Sequence, residues 1–118
     1  MKSITENHDH AMELADEAFA ARRQGNSEQA TALFQQALTY ERLAAELVAP
    51  NLEAEPTRSV LHRSAASLAL ACGELREAER LIANALVGNP PNEIAEELRD
   101  LLQEVYKSLR KTSPPIAV

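Results

Sequence analysis

The chain has 118 residues, with 21 Ala and 16 Leu against 14 Val, Ile and Thr, a balance that favours helix and argues against a β-sandwich or barrel. Its net charge of −6 argues against nucleic acid or an anionic membrane surface as partner. Three glycines are too few for a Gly-rich nucleotide loop. The charge is uneven: residues 1–57 hold four basic and ten acidic side chains, whereas residues 58–118 hold eight of each. The first half therefore presents an acidic, solvated surface that can steer a basic partner.

The first predicted helix runs from about Ile4 to Gln24. Ser3 and Glu6 have capping-box spacing, and Gly25 supplies the stop. Its apolar positions include Met12, Ala15, Ala18, Phe19 and Ala21. Asn26 then caps a second helix, with Gln29 reaching back. That helix carries Ala30, Leu33, Phe34, Ala37, Leu38, Leu43, Ala44, Leu47 and Val48 at a 3.6-residue period and ends at Pro50. After a connection from Asn51 to Pro56, Glu55 or Thr57 caps a third helix, about Arg58 to Cys72. Its stripe is Val60, Leu61, Ala65, Leu68, Ala69 and Cys72, and Gly73 stops it.

The fourth helix covers about Glu74 to Val87, with Leu75, Ala78, Leu81, Ile82, Ala85 and Leu86 inward and Gly88 as its stop. Asn89-Pro90-Pro91 breaks the chain before a fifth helix, about Pro91 to Lys111. Ile94, Leu98, Leu101, Leu102, Val105 and Leu109 form its stripe. The remaining residues to 118 read as a loose tail. The short connections at Gly25 and Gly73 force antiparallel neighbours, so the expected fold is all-α: helical hairpins closed by a C-terminal capping helix. Residues 1–118 form one domain on this reading.

The chain also repeats itself. With Gly25 placed on Gly73, Ala30 falls on Ala78, Leu33 on Leu81, Phe34 on Ile82, Ala37 on Ala85 and Leu38 on Leu86. Glycine adopts the left-handed turn, and the alanines let neighbouring helices approach. These stretches, QGNSEQATALFQQAL and CGELREAERLIANAL, the latter followed by Gly88-Asn89-Pro90, resemble the tetratricopeptide repeat (TPR) over about residues 11–44 and 59–92. Pro90 stands where that family places its closing proline. The copies depart from the family's 34-residue period, being offset by 48, which lengthens the second helix and its connection. Large residues expected in the first helix of each repeat give way to Leu14, Ala18 and Ala21, and to His62, Ala66 and Ala69. The first two helices are also similar to the MIT domain, a three-helix module.

Both resemblances imply a non-catalytic adaptor or scaffold that binds a protein or peptide segment. TPR proteins line their groove with the first helix of each repeat. By resemblance the partner-binding candidates are Met12, Phe19, Arg22, Arg23, Arg63 and Ser67, with Ala15, Val60 and Leu70 beside them. The arginines can form charge-assisted bonds to a peptide carboxylate, or pair with nearby Glu on the surface. The chaperone-binding carboxylate clamp of the family is not matched. The alternatives are a self-associating helical module, packing through the second or last helix, or a regulatory subunit of an enzyme.

Other candidates are weaker. His8 and His10 stand two apart and cannot share a helix face, so they read as solvated residues near a fraying end rather than metal ligands. His62-Arg63-Ser64 lacks the Lys-Gly that follows the histidine of a phosphotransfer bundle. Cys72 sits at a helix C-terminus, which disfavours a thiolate. Asp16-Glu17 and Glu96-Glu97 are adjacent surface carboxylates. No catalytic set, metal site or cofactor is expected. The single cysteine and the absence of an apolar leader or span suggest a cytoplasmic protein.

Overall fold

The computed structural model describes residues 2–112, and among them are five helices and no strand. Of the tail expected over residues 112–118, Thr112 instead ends the last helix and the rest lies outside the described residues. Helix α1 spans Ile4–Arg23, α2 Ser27–Val48, α3 Thr57–Ala71, α4 Leu75–Leu86 and α5 Asn92–Thr112. The all-helical class and the order of elements agree with the sequence reading, with boundaries shifted by a residue or so.

Local capping chemistry marks the starts of α1 and α2, whereas Glu74 at the start of α4 makes no side-chain cap bond. Ser3 and Glu6 close a complete capping box at α1. Asn26 accepts the Gln29 backbone N–H at α2, while the Gln29 side chain meets the Asn26 side-chain amide instead of its backbone. At α3 the Glu55 carboxylate takes both the backbone N–H and the hydroxyl of Ser59, at 3.0 and 2.8 Å. The fully buried Ser59 is thereby satisfied from two residues before the helix, but the cap position itself is Pro56, which makes no side-chain bond, so neither Glu55 nor Thr57 is the cap expected from sequence.

The two glycine turns share one geometry. Gly25 and Gly73 have φ of 80° and 79°. Asn26 N–H reaches Ala21 O and Gly25 N–H reaches Arg22 O; Glu74 N–H reaches Ala69 O and Gly73 N–H reaches Leu70 O. This paired bonding is the Schellman motif, which satisfies the last carbonyls of a helix while reversing the chain. Beyond each turn three of the five aligned pairs bury alike, with Ala30 and Ala78, Phe34 and Ile82, Ala37 and Ala85 all inside, whereas Leu33 and Leu86 are only half-buried against their buried counterparts Leu81 and Leu38. Gly88 differs. Its φ is not positive, so it does not end α4 as a left-handed stop; Val87 caps that helix.

Helix α1 packs on α2, α2 on α3, α3 on α4, and α5 closes over α4 and α3. The main core gathers Leu14, Phe34, Leu68, Ile82, Leu98 and Val105 among many alanines, which allow close helix approach. A second cluster of Ala44, Ala45, Val48 and Leu61, with Ile4 and Ala54, joins the long end of α2 to α3. Helix α2 is ten residues longer than α4, and residues 49–56 connect it to α3.

Arg58 ties these parts together. It is 4% exposed, and its Nε–H donates to Ala49 O at the end of α2, at 2.8 Å. The guanidinium also lies against Gly88, where α4 ends; a Cβ there would collide with Nη1. A cation between two helix C-termini offsets the partial negative charge of both. Its Nη1 is the buried side-chain nitrogen left without a partner among the described residues.

Candidate functional site

The six partner-binding candidates fall into two sets. Phe19 is on α1 and remains 44% exposed, although it belongs to the apolar series of that helix. One face turns outward because Phe34, entirely buried, already fills the space between α1 and α2. The two rings meet edge-on with centroids 5.1 Å apart. The Arg22 guanidinium carbon stands 4.7 Å from the Phe34 ring centre and 5.4 Å from that of Phe19. Met12 packs partly buried against the core one and a half to two turns earlier, and Arg23 is exposed in the last turn of α1.

Arg63 and Ser67 are on α3 and are brought together by a different neighbour. With Glu97, Asp100, Leu101 and Glu104 of α5 they line a cleft of about 480 Å³. Arg63 Nη1 donates to Glu97 at 2.6 Å, a charge-assisted bond across the cleft. Ser67 is exposed beside it. Arg63 therefore has the surface partner that the simpler sequence reading allowed. Val60 belongs to a separate cleft, about 340 Å³, with Ile4, Thr5, His8, Thr57 and Leu61. Leu70 packs against the core and Ala15 is buried.

One pair was not anticipated. Glu41 is fully buried, and His8 Nδ1 lies 2.9 and 3.0 Å from its two carboxylate oxygens. His8 is thus tethered, and His10 packs edge-on against Tyr40 at a centroid distance of 4.2 Å. Neither is a freely solvated residue at a frayed end. The signal was present in α2: Glu41 occupies a core position in the series Ala37, Leu38, Ala44, Ala45, where an acidic side chain needs a partner.

His62 is 1% exposed, and its Nδ1–H donates to the Arg58 carbonyl at 2.7 Å. Burial pushes its pKa below the ordinary 6.5, and the Arg58 charge adds to that, against the opposing effect of the backbone bond. A ring so enclosed offers no face to a phosphoryl donor. Burial pushes the Cys72 thiol upward, away from thiolate character. Among the described residues no three His, Cys, Asp or Glu side chains are grouped to hold a metal ion. No described helix is long and apolar enough to cross a membrane.

No family model, curated protein or solved structure matches the chain at a significant level.

Proposed function

We propose that this chain is a non-catalytic protein-interaction module of TPR-like architecture, an adaptor or scaffold of the cytoplasm that uses no cofactor. The observation that carries the reading is Phe19. An Ala-rich helix holds an aromatic ring 44% exposed, braced beneath by Phe34 and beside by Arg22. Aromatic and arginine side chains carry most of the energy in protein interfaces, and a braced ring loses little entropy on binding. The repeated turn and its following alanines support the hairpin repeat on which the TPR-like reading rests.

On this reading a partner segment contacts Met12, Phe19, Arg22 and Arg23 at one end and Arg63 and Ser67 at the other. A peptide carboxylate would compete with Glu97 for Arg63. The test is to recover the partner from native lysate, then titrate it against a Phe19→Ala/Arg63→Ala double mutant. The expected result is a loss of affinity of tenfold or more, about 1.4 kcal/mol. Unchanged affinity rejects this surface, and a mass that rises with protein concentration in sedimentation replaces the adaptor with a self-associating module.

A further inference from the structure

The outer groove between α1 and α2, on the flank away from α3, combines two independent features. The first is apolar. Tyr40, Leu43 and Leu47 stand at i, i+3 and i+7 on α2 and, with Lys2 and Asn7, line a cleft of about 220 Å³. Leu43 and Leu47 are each 42% exposed. The second is charge. Glu6, Glu13 and Glu17 fall with His10 along one flank of α1, at i, i+7, i+11 and i+4. His10 packs on Tyr40, which places that flank beside the cleft.

The charge is concentrated there for a reason that the ion pairs make visible. Glu77, Glu79, Glu96, Glu97 and Glu104 in the second half each meet an Arg or Lys. Between Lys2 and Arg22, α1 carries five carboxylates and no Lys or Arg. Glu6, Glu13 and Glu17 are exposed and none is in an ion pair among the described residues, although Glu6 also closes the capping box. Among the described residues the one cation lining this groove is Lys2, and it is drawn over the Tyr40 ring at 4.7 Å.

We infer that this groove docks a basic amphipathic helix of a partner protein, with apolar side chains seated on Leu43 and Leu47 and Lys or Arg side chains facing the α1 carboxylates. An apolar strip with a single-sign rim selects such a helix twice, once by shape and once by charge. A nucleic acid or anionic lipid surface would meet the acidic rim and be repelled. A two-fold pairing of this groove with a second copy would set acidic rim against acidic rim. The surface is distinct from the Phe19 and Arg63 region, so the two readings stand or fall separately.

The test uses the full chain and a defined probe, a short amphipathic Leu–Lys helical peptide, with its Leu–Glu counterpart as control. Binding is followed by titration calorimetry and by backbone amide shifts. The expected result is salt-sensitive binding of the Leu–Lys peptide alone, with shifts centred on Leu43 and Leu47. Leu43→Ser/Leu47→Ser and Glu6→Gln/Glu13→Gln/Glu17→Gln each weaken it about tenfold. Glu28→Gln/Glu74→Gln/Glu93→Gln, which removes as many charges elsewhere, leaves it within about twofold. Equal weakening by that remote variant, shifts outside α1 and α2, no binding, or self-association abolished by the leucine variant would each overturn the proposal. Unchanged far-UV circular dichroism and melting of the variants show that they are folded.

Discussion

Replacing Gly88 by Ala tests the tie between the two hairpins. The backbone there does not need glycine, since φ is not positive, so a conformational penalty is absent. The methyl group would collide with Arg58 Nη1 and come close to its Cζ, at 3.1 Å. An exposed arginine would swing aside at little cost. Arg58 is 4% exposed and its Nε is held 2.8 Å from Ala49 O, so displacement breaks a charge-assisted bond and strands a buried cation. The loss is about 2–3 kcal/mol. For a chain of this size that lowers Tm by roughly 10 °C, readable by thermal circular dichroism. In an Arg58→Met background the same Gly88→Ala change should cost less than about 0.5 kcal/mol, because its target is gone. Equal costs in the two backgrounds would refute the argument. Gly25→Ala and Gly73→Ala are the contrast: nothing lies within 4 Å of either Cβ, and their cost comes from φ alone.

Three other outcomes follow from buried groups. His8→Ala leaves the Glu41 carboxylate without its partner and is expected to cost about 1–3 kcal/mol in urea unfolding, whereas Glu41→Leu costs less because no charge is stranded; the reverse order would contradict the pairing. His62 binds protons more weakly folded than unfolded, so its contribution is full above 6.5 and is lost as pH falls below that value. The fall in stability on acidification is therefore expected to be shallower in His62→Gln than in wild type; equal slopes would remove His62 as the cause. Cys72 is expected to alkylate more slowly than a free thiol at neutral pH and to reach that rate only on unfolding, as followed by mass spectrometry. Free-thiol rates in the native chain would contradict its burial.

Helix placement was legible because the punctuation is local. Ser3, Asn26, Gly25 and Gly73 act on backbone groups within a few residues, and their geometry appears as their spacing implies. The exceptions depend on neighbours from far along the chain. Phe19 has helical core spacing, yet Phe34 already fills the space it would enter. Gly88 follows a helix and so resembles a stop, yet its role is to admit Arg58 from 30 residues earlier. Arg58 is a charged residue near the start of α3, and its burial depends on the ends of α2 and α4, which meet it at Ala49 and Gly88. Of the candidate site, α1 and α3 were identifiable as helices, but the ion pair of Arg63 with Glu97 depends on where α5 settles.

A stack in which each hairpin touches only the next can peel apart from one end, rung by rung. Arg58 works against that mode of failure. Fixed to α3, bonded to the exit of α2 and pressed on the exit of α4, it feels the loosening of either hairpin as its own exposure. Fraying at one end would thereby be transmitted to the other, so the molecule is built to melt in a single concerted step, and a truncated half would lose the anchorage that makes the whole hold.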